Sequence, residues 1–201
     1  MVRDLSETRE QILLSAKQRF ASIGYTKTTM AELAEDCALS TAHLYNFYKN
    51  KLDIAGELVE QEMLQMAETL SKLLDPEQSA DQILPLYFCS ELNAHLSLRQ
   101  DNPGMPGLLS LVRRKLPLVA KGFDRRFRKD LSLYLNARMK CGDIRRQDPF
   151  RLSETLYNGT TQYRLLESMT EATETVLENQ IRDIVTLFLS GLTSKNSSAL
   201  V

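Results

Sequence analysis

The 201-residue chain is long enough for one large domain or two small ones with a buried core, so its stability needs no disulfides. Its 25 basic and 26 acidic side chains give a formal net charge of -1, which excludes binding to polyanions by bulk charge alone. Any nucleic-acid site must therefore be local. No stretch is apolar enough for a membrane span or a signal peptide, which predicts a cytoplasmic protein without membrane contact.

Residues that could form a catalytic or metal site are scattered. The cysteines Cys37, Cys89 and Cys141 stand apart from one another and from His43 and His95, so neither metal-ligand spacing nor a disulfide framework is visible. There is no glycine-rich phosphate loop and no nucleophile with a neighbouring base. We therefore predict no metal, no cofactor and no catalytic residue, which argues against an enzyme.

The apolar residues favour helices. The chain has 34 Leu against 7 Val and 7 Ile, and Leu favours helix whereas the β-branched residues favour strand. Alternation of apolar and polar residues with a period of two is nowhere sustained, while helix start and stop signals recur along the whole length. These patterns predict an all-α protein with about nine helices.

The first predicted helix begins after Ser6 and closes at Gly24, because serine can cap a first turn and glycine can adopt the left-handed conformation of a C-cap. A second helix starts near Met30, where Thr29 and Glu32 form a capping box. The inward stripe of the first helix consists of Ile12, Leu13, Ala16, Phe20 and Ile23.

The third predicted helix is short, from Thr41 to about Phe47, with Ser40 as its N-cap. Asn50 and Asp53 then open a fourth helix that runs to about residue 74. The later helices are predicted over about residues 80–99, 107–115, 117–140, 149–169 and 172–192.

Two short helices joined by so tight a turn have the geometry of a helix-turn-helix unit. In such a unit the second helix enters the major groove of DNA, while neighbouring hydroxyl and amino groups hold phosphates. Leu44 is placed inward, and the outward face consists of Thr41, Ala42, His43, Asn46 and Phe47. Candidate phosphate contacts are the side chains of Tyr45, Tyr48, Lys49 and Lys51 and the backbone N–H groups of Thr28 or Thr29.

Two alternatives to these roles stay open. Tyr45 and Phe47 lie at helical spacing and could be core aromatics, and His43 could be a solvated helix residue. The first 51 residues carry seven basic and six acidic side chains, which is a weak electrostatic footprint for a DNA-binding unit. The acidic side chains would have to lie away from the recognition helix.

Over about residues 9–55 the chain carries apolar, small and hydroxyl residues at a spacing far more specific than that of a generic helix-turn-helix. They are Arg9, Ile12, Leu13, Ala16, Phe20, Gly24, Tyr25, Thr28, Thr29, Met30, Leu33, Ala34, Ser40, Leu44, Tyr45, Phe47 and Lys51. This segment resembles the TetR-type (TetR/AcrR) transcriptional regulators. Two positions depart from the family pattern, since Ala38 replaces the usual glycine of the turn and Ala42 a common glycine of the recognition helix.

The resemblance implies a homodimer in which each N-terminal unit reads half of a palindrome in double-stranded DNA. It also implies a C-terminal helical domain that dimerises and holds a small-molecule effector. By the same resemblance, Thr29, Tyr45 and Lys51 would contact phosphates. The residues expected to meet bases are Thr41, Ala42, His43 and Asn46. The full candidate DNA-binding set is Thr28, Thr29, Ser40, Thr41, Ala42, His43, Tyr45, Asn46, Phe47, Lys49 and Lys51.

We predict a DNA-binding domain over residues 1–50 and an effector-binding and dimerisation domain over residues 51–201. In the second domain, aromatic and polar groups on a mainly apolar helix could line a ligand cavity, or could form a satisfied core with His95 at its rim. The candidate pocket residues are Tyr87, Phe88, Asn93, His95, Leu96, Leu109, Tyr134 and Tyr163.

The segment from Arg113 to Arg146 carries twelve basic and three acidic side chains. It could be a solvated helix face balanced by the acidic run around Glu167, Glu171, Glu174 and Glu178. Alternatively, Arg113, Arg114 or Arg128 could attract an anionic effector such as an acyl thioester or a carboxylate. The sequence leaves both interpretations open.

The eighth and ninth helices carry apolar residues at spacings of three and four, and the ninth is apolar on two sides. A helix of that kind needs two partners, so we predict a four-helix dimer interface across a two-fold axis. Its candidate residues are Leu156, Gly159, Tyr163, Leu177, Ile181, Ile184 and Phe188.

Taken together, these features predict a ligand-responsive DNA-binding regulator that acts as a repressor on a palindromic operator. The alternatives are a helical regulator without a small-molecule effector, and an all-α adaptor or enzyme. The absence of a catalytic set disfavours the enzyme.

Overall fold

The computed structural model describes residues 5–163 and 173–192, and every regular element in these two ranges is helical. The predicted all-α class is therefore confirmed. A short 3-10 turn covers Thr161–Tyr163. In chain order the α-helices are α1 (Leu5–Ser22), α2 (Met30–Asp36), α3 (Thr41–Tyr45), α4 (Lys51–Ser71), α5 (Ala80–Asp101), α6 (Met105–Lys115), α7 (Pro117–Lys140), α8 (Pro149–Gly159) and α9 (Glu174–Ser190).

Side-chain caps confirm three predicted helix starts. At α2, the Thr29 hydroxyl accepts a hydrogen bond from the N–H of Glu32, whose carboxylate accepts from the N–H of Thr29. At α4, Asn50 Oδ1 accepts from the N–H of Asp53 at 3.0 Å. At α8, the Asp148 carboxylate accepts from two first-turn N–H groups. These bonds join residues no more than three apart, so the sequence alone can reveal them.

Several predicted boundaries are wrong by a few residues. Ser6 lies inside α1, which already includes Leu5, and so it is not the N-cap. Ile23 follows the last helical residue, Ser22, and its side chain is exposed instead of continuing the inward stripe. Helix α3 ends at Tyr45, two residues earlier than predicted, and α4 ends three residues early at residue 71.

Helix α8 ends at Gly159 and not near residue 169, as predicted. Glycine and the two threonines after it have low helix propensity, and threonine hydroxyls compete for backbone carbonyls. The Thr160 hydroxyl donates to the Leu156 carbonyl at 3.0 Å, and the Thr161 hydroxyl donates to the Tyr157 carbonyl at 3.2 Å. Residues 164–169 of the predicted helix lie outside the described residues, as do Glu167 and Glu171 of the predicted acidic run.

The chain forms two compact units, each built from two segments. The first unit combines the residues up to 64 with residues 98–123, so it holds α1 to α3, most of α4, and α6. The second unit combines residues 65–97 with the described residues from 124 onward. The predicted domain boundary after residue 50 divides the chain at one position. The two compact units of the structure instead each combine segments that are distant along the chain.

In the first unit, α1 is tied to α2 and α4 by ion pairs around an apolar core. The Arg19 guanidinium donates to both carboxylate oxygens of Asp36, at 2.6 and 2.8 Å. Arg9 pairs with Glu57, and Lys17 pairs with a second carboxylate of α4. The fully buried side chains beneath these pairs include Ile12, Ala16, Phe20, Leu33, Leu44 and Ile54.

In the second unit, one apolar core joins α5, α7, α8 and α9. A buried polar cluster fixes its edge, where the Arg138 guanidinium donates to the Pro76 carbonyl at 2.6 Å and to Asp143 at 3.1 Å. The same Asp143 carboxylate accepts from the N–H of Ala80 at 2.9 Å, the first residue of α5. Among the helices described here, none is long and apolar enough to cross a membrane.

Candidate nucleic-acid interface

The turn between α2 and α3 is a Schellman motif built on alanine. The N–H of Leu39 donates to the Ala34 carbonyl at 2.8 Å, and the N–H of Ala38 donates to the Glu35 carbonyl at 2.9 Å. Ala38 has φ +54°, the left-handed conformation that usually requires glycine. The departure from the family pattern at Ala38 therefore leaves the chain path of the turn intact, at the cost of a strained alanine.

Replacing Ala38 by glycine is expected to stabilise the protein by about 1 kcal/mol, because glycine adopts a positive φ without the clash of a Cβ. Thermal unfolding should show a rise of about 2–4 °C. The matched control is Ala42→Gly on exposed α3, where glycine only adds backbone entropy and should lower the unfolding temperature by a similar amount. A lower unfolding temperature for Ala38→Gly would contradict the inference that the Ala38 backbone is strained.

Helix α3 presents the predicted outward face. Leu44 is fully buried, while Ala42, His43, Tyr45 and Asn46 are exposed. Ser40 accepts a hydrogen bond from the N–H of His43 at 3.1 Å, so it caps α3. Thr41, Phe47 and Leu39 are half-buried.

Two aromatic groups next to this face differ in their environment. The rings of His43 and Phe47 meet edge to face with centroids 5.5 Å apart, which holds the imidazole over the half-buried phenyl ring. Tyr48 is buried, and the guanidinium of Arg9 lies 4.7 Å from its ring centroid. Burial raises the pKa of the Tyr48 phenol. Tyr48 is therefore part of the core, and its predicted phosphate contact is wrong.

The predicted phosphate contacts before α2 are occupied within the chain. Thr28 is buried, and its hydroxyl donates to the Gly24 carbonyl at 2.9 Å at the end of α1. The hydroxyl and the N–H of Thr29 both donate to the Glu32 carboxylate, at 2.8 and 2.7 Å. These bonds lower the pKa of Glu32. A role of Thr29 toward phosphate stays a prediction, and it would require sharing these donors.

Lys51 is turned toward the loop between α1 and α2. Its ammonium donates to the carbonyls of Tyr25 and Thr28, both at 2.5 Å, and lies 4.3 Å from the centroid of the Tyr25 ring. Burial lowers the pKa of this ammonium. Tyr25 in turn packs edge to face on Phe20. Lys51 thus braces the loop before α2, and its predicted phosphate contact is untested. Tyr25, to which no role was assigned from the sequence, is its partner.

Substitutions of the two lysines at the α3–α4 junction are expected to change the salt dependence of DNA binding by different amounts. Lys49 is exposed, so Lys49→Gln should lower the slope of log affinity against log salt by about 0.9, which is the counterion release of one phosphate contact. Lys51→Gln should mainly lower the unfolding temperature, because the loop loses its brace. Salt titrations of DNA binding and thermal unfolding of both variants measure this difference. Equal slope changes would show that Lys51 also neutralises a phosphate.

Four acidic side chains of the first unit are paired with basic residues of α1. Asp36 and Glu32 both face Arg19, which lowers the pKa of Asp36. Glu57 is paired with Arg9. Within α3 itself there is no acidic residue. The exposed face of α3 therefore keeps a local environment that an anionic surface can approach, despite the weak net charge of the first 51 residues.

The predicted pocket residues fall into both units. Leu109 belongs to the first unit and the other seven to the second. In the second unit, Asn93 donates to the Glu178 carboxylate at 2.8 Å, and the buried His95 lies one turn after the buried Glu91 on α5. Glu91 and Glu178 were not among the predicted pocket residues, although Glu91 stands four residues before His95 and that spacing is visible in the sequence. Tyr87, Phe88, Tyr134 and Tyr163 are buried, and Leu96 is half-buried.

The predicted dimer residues are divided between core and surface. Leu156, Tyr163, Leu177 and Ile181 are buried in the core of their own chain. Gly159 is exposed, and Ile184 and Phe188 are half-buried. A Cβ at Gly159 would lie 3.0 Å from the Phe188 ring, so the glycine lets α8 and α9 approach closely. The most exposed large apolar side chain on α9 is that of Leu187, which was not among the predicted interface residues.

Comparison with known proteins agrees with this geometry. Residues 12–58 match the family model of bacterial regulatory proteins, tetR family. Over 65 residues, 32% of this chain and 34% of the relative, the sequence is 35% identical to the HTH-type transcriptional repressor AcnR of Corynebacterium jeikeium. The matched part is thus about a third of that repressor.

Solved structures share the fold over most of the chain. A crystal structure from Mesorhizobium loti covers 96% of this chain and 100% of its own, with a TM-score of 0.76 at 17% identity. Thermus thermophilus FadR, a TetR-family transcriptional repressor in complex with lauroyl-CoA, covers 96% of this chain and 99% of its own, with a TM-score of 0.68 at 18% identity. At these identities the similarity establishes the fold.

Proposed function

Because residues 12–58 match the family model of bacterial regulatory proteins, tetR family, we propose that the chain is a cytoplasmic, homodimeric repressor that binds a palindromic operator and leaves it when a small molecule binds. The observation that carries the proposal is the exposed face of α3, capped by Ser40 and anchored by the buried Leu44. A helix of this kind is free to enter a major groove. The expected base contacts are Thr41, Ala42, His43 and Asn46.

A dimer is needed for specific binding. One recognition helix reads only a few base pairs, which does not by itself give operator affinity. Two such helices can enter successive major grooves when they are about 34–36 Å apart. An effector that changes this distance weakens DNA binding, and by thermodynamic linkage DNA weakens effector binding by the same factor. A small rotation of α4, which has residues in both units, is sufficient for such a change.

The effector site is proposed to lie in the second unit, where polar side chains interrupt an apolar core. Glu91 and His95 are buried polar side chains on a mainly apolar helix, and an apolar site with a few polar groups suits a ligand with both apolar and polar parts. Asn93 and Glu178 connect α5 to α9 in the same region. The FadR relative carries lauroyl-CoA, so acyl thioesters are the first class to test.

The DNA-binding proposal is tested by a gel shift with the DNA that flanks the protein's own coding region. We expect a shift that is sequence-selective and that weakens steeply with salt. A salt-insensitive complex, or none with any genomic fragment, would overturn the proposal in favour of an adaptor whose helix-turn-helix unit binds protein.

The effector is sought by thermal-shift screening of the purified dimer with acyl thioesters and other metabolites. A ligand at 100 times its dissociation constant stabilises the folded protein by about 2.7 kcal/mol. A true effector should also release the operator in the gel shift. Asn93→Leu should remove the thermal shift without changing DNA affinity. If no compound shifts the unfolding temperature, regulation without a ligand is favoured.

A further inference from the structure

The first unit contains a basic segment that is distant from the helix-turn-helix in sequence. Residues 102–123 carry four basic side chains and no acidic one, and the structure groups them with α1 to α4. Arg113 is half-buried, with its guanidinium carbon 5.2 Å from the centroid of the Phe123 ring. Arg114 and Lys115 are exposed in the last turn of α6, and neither has an ion-pair partner in the described part of the chain. The unit thus holds two exposed basic side chains on α6 in addition to those of its first 51 residues.

Helix α6 bridges two helix ends of the DNA-binding unit. At its start, a Cβ on Gly104 would lie 2.6 Å from the Phe20 carbonyl oxygen in the last turns of α1. At its end, a Cβ on Gly56 would lie 2.6 Å from Leu116 Cδ1, immediately after α6. The Gly104 contact is a close approach of two backbones, whereas at Gly56 the Leu116 side chain fills the space that a Cβ would occupy. Helix α6 therefore adjoins α1 at its start and α4 just beyond its end.

The contact at Gly56 places the basic end of α6 near the candidate phosphate contacts. Gly56 follows Lys51 by five residues, which is about 7.5 Å along α4. Lys51 holds the loop between α1 and α2, and Lys49 precedes it at the α3–α4 junction. Arg114 and Lys115 immediately precede Leu116, whose side chain contacts Gly56, so the basic end of α6 adjoins the first turns of α4. The α3–α4 junction with its candidate phosphate contacts lies at the beginning of that same helix.

The acidic residues of α4 determine which basic side chains of the first unit have no ion-pair partner among the described residues. Glu57 and Glu62 of α4 are paired with Arg9 and Lys17. The carboxylate of Glu60 lies 3.9 Å from the position of a Cβ on Gly122, the residue after Lys121, so this part of α7 already has an acidic group beside it. Arg114 and Lys115 are therefore the two exposed cations of α6 that an external anion can use.

We propose that Arg114 and Lys115 contact DNA phosphates beside those held at the α3–α4 junction, and so extend the DNA footprint of the unit beyond the helix-turn-helix. This inference rests on the proposed function. Phosphates supply most of the sequence-independent affinity for DNA, and each neutralised phosphate releases counterions. A polyphosphate backbone provides the row of anions that adjoining cations on α6 and at the α3–α4 junction require, whereas a single small anion would use only some of them.

The test is a salt titration of the double variant R114Q/K115Q with the DNA that the unmodified protein selects. The slope of log affinity against log salt should fall by about 1.8, which corresponds to two phosphate contacts. The same slope predicts an affinity loss of about thirtyfold at 0.15 M salt that shrinks to about three- to fourfold at 0.5 M. The preference among operator variants should be unchanged, because phosphates carry no base identity.

The control is K140Q, which removes an exposed cation of the second unit and should leave the slope unchanged. Both proteins should unfold at the temperature of the unmodified chain, because the substituted side chains are exposed. An unchanged slope in R114Q/K115Q would overturn the inference, and a simultaneous loss of the thermal shift with acyl thioesters would assign the two residues to the effector. Failure of the unmodified protein to select any DNA would instead overturn the proposed function itself.

Discussion

Ile181→Glu is expected to unfold the second unit, whereas Leu187→Glu is expected to separate the dimer and leave each chain folded. Ile181 is 1% exposed inside the core that joins α5, α7, α8 and α9, and an uncompensated carboxylate there should cost about 4 kcal/mol or more. Leu187 is 75% exposed on another face of the same helix, so its substitution should cost a single chain no more than about 0.5 kcal/mol. Circular dichroism, thermal unfolding and light scattering measure the two effects.

The control for this pair is Leu133→Glu on the basic helix α7. Leu133 is also exposed, and its substitution by Glu introduces the same charge on a helix outside the proposed interface. A dimer that persists in Leu187→Glu but dissociates in Leu133→Glu would move the interface to α7. Dissociation of Leu187→Glu alone would support a surface that combines α9 with the exposed Gly159 of α8.

Asn46→Ala is expected to change which operator bases the protein prefers. Asn46 is exposed at the end of α3, and an asparagine amide can bind the major-groove edge of adenine in a bidentate manner. Its loss should reduce discrimination at one position of each half-site by about 1–3 kcal/mol, which is roughly a tenfold to hundredfold effect. Competition binding with single-base operator variants measures it.

Two further variants separate base contacts from positioning. His43→Ala should alter preference at a different position, and Asn158→Ala, on the exposed side of α8, should have no effect. Equal loss of affinity on cognate and scrambled DNA for Asn46→Ala would show that this residue holds the backbone instead of a base. The salt slope should be unchanged in Asn46→Ala and Asn158→Ala, since neither substitution removes a charge.

Local signals predicted the starts of α2, α3, α4 and α8 correctly. The capping box of Thr29 and Glu32, and the caps by Ser40, Asn50 and Asp148, involve bonds within three residues, so the sequence carries them in full. The burial of Leu44 and the exposure of Ala42, His43 and Asn46 followed from helical periodicity alone.

The sequence by itself determined that the chain is helical and that it carries a helix-turn-helix unit, because leucine content, caps and the spacing of apolar residues are properties of short segments. The tertiary structure decided what depends on distant segments. Periodicity shows that α9 is apolar on two sides, but only packing reveals that Ile181 faces the core and Leu187 does not. The loop carbonyls that receive Lys51, and the joining of α6 to the DNA-binding helices, likewise depend on contacts across more than 20 residues, which no local pattern encodes.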